Sequence, residues 1–256
     1  MIDSSAVIHP EARIDQDVII GPYSIIGKDV EIDSGSWVGP HVVIKGPTRI
    51  GKNNKIFQFC SIGDDPQDKK YHGEKSLLEI GSGNVIREFC SINRGTAEGG
   101  GKTVIGDDNW IMAYVHVAHD CIVGSHTVFA NNSTLAGHVT VDDYAILGGF
   151  TGVHQFCRLG SFSFSAISSV IVKDVPPYLL VSGNKAKPNG LNREGLRRHG
   201  FSPEAINLLR KAYKTVYRDG LVLKEALALL KILGQGSEEV TRFAEFIERS
   251  ERGIVR

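Results

Sequence analysis

The sequence predicts a mainly β fold, a parallel β-helix of hexapeptide repeats followed by a small C-terminal α-helical domain. Three observations carry this: aliphatic residues recur at every sixth position, glycine is abundant, and the periodicity turns helical after D-V-P-P-Y at 174–178. From Ile8 the series runs Ile8, Ile14, Ile20, Ile26, Ile32, Val38, Ile44, Ile50, Ile56 and Ile62. It resumes at Ile80, Ile86 and Ile92, shifts phase by one, and continues from Ile105 to Ile171 with Ser165 as its one polar member. A period of six fits neither an amphipathic helix nor a simple strand alternation. It fits a three-sided coil in which each hexapeptide supplies one short strand and one corner, the aliphatic residue pointing into the prism. Coils then stack at the strand spacing of about 4.8 Å.

Length and charge narrow the function classes. A chain of 256 residues suits one large domain, or a large domain with an appendage. Its 29 Lys and Arg balance 29 Asp and Glu, which argues against a protein that coats nucleic acid. No apolar run approaches the roughly 18 residues of a membrane span. The N-terminal M-I-D-S-S-A-V-I-H-P lacks the basic and apolar regions of a signal peptide. The expectation is a soluble, cytoplasmic protein.

Two stretches interrupt the repeat, 64–79 and 94–104. Each reads as a loop leaving the prism, and long loops on a rigid scaffold are where function concentrates. The second is glycine-rich but lacks the strand–loop–helix context and G-K-[ST] ending of a phosphate cradle, so it reads equally as a tolerated insertion. The expected domains are 1–178, the β-helix, and 179–256, the helical part. There Ser202 caps a helix with Pro203 at its first position, a second helix covers 223–233 and stops at Gly234, and Ser237 caps a third. Residues 185–218 hold nine Lys and Arg against two acids, which points to an anionic partner. Cys60, Cys90, Cys121 and Cys157 each precede an inward aliphatic by two residues and read as small buried hydrophobes.

Histidine is the informative residue. Within the uninterrupted tract from 105, position modulo 18 places a residue around the coil. His116, His119, His138 and His154 then share one narrow wedge, with His126 elsewhere. Gly137 lies one coil above His119, with Gln155 above that, and Asp120 lies below His138. Such a cluster suits either of two chemistries. An imidazole can serve as general base on a hydroxyl, helped by Asp120 and a backbone N–H. Alternatively, three imidazoles can hold zinc, although H-x-x-H in a strand is weak metal spacing.

These residues sit in motifs that carry a resemblance. The hexapeptide tract, Q-D-K-K-Y, H-V-A-H-D (116–120), N-N-x-T-L-A-G-H-V (131–139), V-H-Q-F-C (153–157), D-V-P-P-Y (174–178) and N-R-E-G-L-R-R (192–198) closely resemble the UDP-N-acetylglucosamine O-acyltransferases, which act first in lipid A synthesis. The resemblance runs end to end. It implies a left-handed coil, no metal and no bound cofactor, the acyl donor being carried on the phosphopantetheine of acyl carrier protein. His119 would be the base that takes the proton of the glucosamine 3-hydroxyl, Asp120 its orienting carboxylate and the Gly137 N–H the oxyanion donor. Gln67, Asp68 and Lys70 would hold the sugar and the 3-hydroxyl of the acyl chain. His116, His138, His154 and Gln155 would line the sugar and pantetheine region, and Asn192, Glu194 and Arg198 would grip uridine and phosphates. Where the family commonly has a second Arg after Arg198, this chain has His199.

The resemblance also implies a homotrimer with sites in the grooves between prisms, and an acidic carrier that meets the basic 185–218 segment. Ile167 falls where long-chain members have a glycine that ends a hydrocarbon ruler, with Gly149 and then Asn131 below it. The expected donor is therefore a 3-hydroxyacyl chain a few carbons shorter. Three other functions stay in view: the same fold acting on a 3-amino sugar nucleotide or as the later N-acyltransferase, a hexapeptide zinc carbonic anhydrase, and a noncatalytic scaffold. The N-acyltransferase carries an additional N-terminal domain, and the anhydrase calls for an H-x-x-x-x-H pair that this sequence lacks.

Overall fold

The computed structural model describes residues 1–256 and is built as the repeat demands. Short strands, most of them two residues long, alternate between three sheets of nine, eight and ten strands, parallel except for one edge strand of the third, that form the faces of a prism. The first sheet runs from Val7–Ile8 to Val170–Ile171, the second from Arg13–Ile14 to Arg158–Leu159, and the third begins at Ile19–Ile20. In each strand the sixth-residue aliphatic is the inward one; Ile26, Ile44, Ile62, Ile92, Val117 and Leu135 are fully buried along the first sheet. Fully burying one such side chain contributes roughly 1.5–3 kcal/mol, so the repeated column supplies the core. The polar exception is satisfied: the Ser165 hydroxyl is 2.9 Å from that of Thr151.

Turning a corner every six residues requires a left-handed backbone, and this chain uses 18 non-glycine residues there, among them Asp120 (φ 60°) and His138 (φ 63°). For L-residues that conformation costs roughly 1–2 kcal/mol. Stacking of side chains at successive corners offsets it. Phe89 lies on Tyr114 with centroids 4.9 Å apart, Tyr144 on Phe162 at 4.7 Å, and His138 on Phe156 at 4.4 Å.

Both interruptions leave the prism at the same corner, between the first and second sheets. One joins Ser61–Asp64 to Leu77–Ile80 and the other joins Ser91–Asn93 to Lys102–Ile105. The paired register Ile50↔Ile80↔Ile105 shows that neither loop disturbs the stack.

The prism outlasts the boundary expected at 178. Leu179–Ser182 continues the third sheet, with Leu180 opposite Phe164, and Lys187–Leu191 returns antiparallel to it. An apolar Leu-Leu-Val run can still fill the coil there after the hexapeptide spacing has ended. Four helices follow: α1 (Arg193–Arg198), α2 (Pro203–Tyr217), α3 (Leu223–Leu233) and α4 (Glu238–Glu248). Ser202 and Ser237 cap α2 and α4 as expected, and α3 ends at Gly234. The sequence reading missed α1, which is only six residues long with a glycine inside. The tail returns to the prism where Val255 N donates to Asp174 O at 2.9 Å. All four cysteines are buried and free. Burial pushes the Cys121 thiol up to about 12 and the Cys157 thiol to about 11. No helix is long and apolar enough to cross a membrane.

Candidate active site

The corner that emits both loops carries the histidine cluster in the coils above. His119 and Asp120 follow the strand His116–Val117, Gly137 and His138 follow Thr134–Leu135, and Gln155 and Phe156 follow Gly152–Val153. Short strands in register therefore align residues that lie up to 37 apart in sequence.

Asp120 is the fixed point. Its carboxylate is fully buried, its N–H donates to Thr103 Oγ1 at 2.8 Å, and its Oδ2 lies 2.7 Å from His119 Nδ1. An ionised carboxylate in this contact accepts from Nδ1–H, and the neutral imidazole in that tautomer has its lone pair on Nε2. Nε2 faces Gly137, where an added Cβ would stand 2.7 Å away. The Gly137 carbonyl accepts from Phe156 N at 3.2 Å, while its N–H donates to no group of the chain. A proton acceptor and a free backbone donor thus lie side by side, the pairing that addition to a carbonyl requires.

The other wedge residues divide. His138 meets His119 edge to face at 5.1 Å, with its Nε2 3.8 Å from Asp120 Oδ2. His116 Nδ1 bonds Ser91 Oγ at 2.7 Å, and burial lowers its basicity, aided by the neighbouring His119. His154 and Gln155 are exposed, His154 lying 3.4 Å from Arg252. The ligand atoms of His119, Asp120 and His138 fall within 4.8 Å of one another. Of the two imidazoles only His119 is within hydrogen-bond distance of that carboxylate, at 2.7 Å against 3.8 Å for His138.

Neither Gln67, Asp68 nor Lys70 bonds to the histidine cluster within one chain. Gln67 and Lys70 are exposed, Asp68 accepts from Lys70 N at 3.0 Å, and Lys70 Nζ lies 3.9 Å from Glu98 on the second loop. That second loop is where the sequence reading fell short. Arg94, buried, donates to Gly63 O and the Tyr71 hydroxyl and pairs with Asp65, joining the two loops. Thr96 bonds the Asp120 carboxylate directly. Glycines at 95 and 99, positions where any Cβ would overlap backbone or the Asp120 carboxylate, were the available signal.

Asn192, Glu194 and Arg198 occupy another corner, that between the second and third sheets. Asn192 caps α1: its Oδ1 accepts from Gly195 N at 3.1 Å and its Nδ2 donates to Phe162 O at 3.0 Å. Glu194 and Arg198 form an exposed ion pair at 3.1 Å. His199 packs edge-on against Tyr144 and Phe162 and bonds Gly195 O. Ile167 lies on the third corner, 70% exposed, with its Cγ1 4.0 Å from where a Gly149 Cβ would be. One chain therefore spreads the expected site over all three edges of the prism, with His119 and Ile167 on opposite edges of the first sheet.

Comparison with known proteins gives one consistent result. Residues 174–255 match the family model described as "Udp N-acetylglucosamine O-acyltransferase; Domain 2", and residues 102–137 match "Bacterial transferase hexapeptide (six repeats)". The chain is 55% identical over 255 residues to the acyl-[acyl-carrier-protein]–UDP-N-acetylglucosamine O-acyltransferase of Alkalilimnicola ehrlichii, covering 100% of this chain and 99% of that one. The enzyme of that name from Janthinobacterium sp. is 52% identical over 260 residues, with the same coverage. Among solved structures, the Francisella novicida UDP-N-acetylglucosamine acyltransferase superposes with a TM-score of 0.98 at 46% identity, covering 100% of this chain and 94% of that one. The Bacteroides fragilis enzyme gives 0.98 at 40% identity, with both chains fully covered. With identity above half along its whole length, this chain belongs to the UDP-N-acetylglucosamine O-acyltransferase family.

Proposed function

We propose that the protein transfers a 3-hydroxyacyl group from acyl carrier protein to the glucosamine 3-hydroxyl of UDP-N-acetylglucosamine, the first step of lipid A synthesis. The observation that carries this reading is the His119 imidazole, held by Asp120 at Nδ1 and facing Gly137 with Nε2. Nε2 takes the hydroxyl proton as the oxygen attacks the thioester carbonyl. The Gly137 N–H receives the resulting oxyanion. Collapse breaks the C–S bond, and the imidazolium returns its proton to the departing phosphopantetheine thiolate. Asp120 keeps the ring in the productive tautomer throughout.

Binding follows the placement of the remaining residues. His116, His138, His154 and Gln155 line the region beside the base, and Gln67, Asp68 and Lys70 reach the sugar and the acyl 3-hydroxyl from the first loop. Because α1 sits on a different edge from His119, a neighbouring subunit would supply Glu194 and Arg198 for uridine and phosphates. Asn192, its Oδ1 and one Nδ2 proton used in capping, would hold α1 in place and offer its remaining amide proton. This division supports a working unit of three prisms, each site lying between two. The acidic carrier would meet the basic 185–218 segment, steered by charge and weakened by salt.

The test is turnover of purified protein with 3-hydroxyacyl carrier protein and UDP-N-acetylglucosamine, run beside its 3-amino counterpart, with light scattering for mass. Transfer to the 3-hydroxyl by a trimer is expected. Transfer confined to the amino sugar, or full activity in a stable monomer, would overturn the reading.

A further inference from the structure

A buried carboxylate that must keep one oxygen on His119 Nδ1 needs its own rotation fixed, because the terminal torsion of Asp is broad. The second loop provides the restraint. Thr96 N donates to Asp120 Oδ1 at 2.8 Å and Thr96 Oγ1 donates to Oδ2 at 2.7 Å, so one residue holds both carboxylate oxygens. Oδ2 is the same oxygen that accepts from His119. Thr96 is itself buried and fixed: its hydroxyl accepts from Gly99 N at 3.1 Å and its carbonyl from Gly101 N at 2.8 Å. Gly99 lies against the carboxylate so closely that any side chain there would overlap it. Two residues earlier, Arg94 ties the same strap to the first loop through Gly63 O and Tyr71.

We infer that Thr96 is a positioning residue for the transfer reaction, acting through Asp120. By gripping both carboxylate oxygens it holds the plane that keeps the His119 Nδ1–H engaged and Nε2 directed at Gly137. The inference rests on the reading of His119 as the base. It also accounts for the glycine-rich composition of the second loop. The glycines let the strap close over Asp120, and Thr96 supplies the two donors.

The experiment measures kcat and KM for Thr96→Val and Thr96→Ser, each alone and combined with Asp120→Ala, with thermal unfolding of every variant. Removing a hydroxyl that donates to a charged partner should lower kcat about tenfold in Thr96→Val, with KM changed less than about twofold. Thr96→Ser, which keeps both donors, should recover most of the rate. In the Asp120→Ala background Thr96→Val should change kcat by less than about twofold, because its partner is gone. An equal loss in both backgrounds, or an unchanged kcat in Thr96→Val, would overturn the inference while leaving the base assignment intact. Wild-type rates in Asp120→Ala would remove the dyad reading and this inference with it.

Discussion

The His119 imidazole lies against the backbone of Gly137 so closely that a methyl group on Gly137 would stand 2.6 Å from His119 Cε1 and 2.7 Å from Nε2. Real Cβ contacts do not reach such distances, so one of the two must move. Gly137 has no positive φ, and alanine suits its backbone. The displaced partner is therefore the ring, turned away from the place where, in the proposed reaction, a hydroxyl and an oxyanion meet. Gly137→Ala should lower kcat by about 10²-fold or more, the cost of losing one oxyanion-type interaction or a base. Its thermal unfolding midpoint should stay near that of the wild type. A rate within a few-fold of wild type would show that the His119–Gly137 contact is not where the reaction occurs.

How much of this was legible in the sequence depends on periodicity. Ile8 to Ile171 mark the coil because each must fill the same interior space, and a fixed 18-residue step then places His119 beneath Gly137 without any coordinates. Loops obey no such step. The glycines of R-G-T-A-E-G-G-G signal a close approach, but they do not say that Thr96 is what folds back onto Asp120, because that contact depends on where the first loop left the prism and on Arg94 holding it. Asn192 shows the same limit. Its place in a motif marks it as significant, but only the geometry reveals that its amide caps α1. The strand at 179–182 was hidden because it continues a sheet after the hexapeptide spacing has stopped.

Chain length should be set by Ile167, which stands over the Gly149 position and projects from the prism surface. A chain that meets this side chain incurs overpacking of about 1–3 kcal/mol, whereas each methylene that fits gains about 0.8 kcal/mol. In a series of 3-hydroxyacyl carrier proteins of increasing length, the wild type should prefer a shorter donor than Ile167→Gly does. The His119-dependent step should be unaffected. Identical length profiles for the two proteins would mean that another residue ends the groove.

Cys121 and Cys157 should be inert. Burial raises the Cys121 thiol to about 12 and the Cys157 thiol to about 11, from an ordinary value of 9.0. The thiolate is the reactive form, so alkylation of either residue in the folded protein at pH 8 should be far slower than after unfolding. Because these pKa values are higher in the folded state, their contribution to stability is full below about 9 and is lost as pH rises through 11 to 12. Peptide mapping of alkylated native protein is the check, and rapid labelling of Cys121 would contradict its burial.

The central claim is that His119, held by Asp120, removes the acceptor's proton. It is tested most directly by kcat of His119→Ala with 3-hydroxyacyl carrier protein and UDP-N-acetylglucosamine, alongside circular dichroism and thermal unfolding. The expected result is a loss of at least about 10²-fold in a protein that folds as the wild type does. A correctly folded His119→Ala variant within about twofold of the wild-type kcat would contradict it.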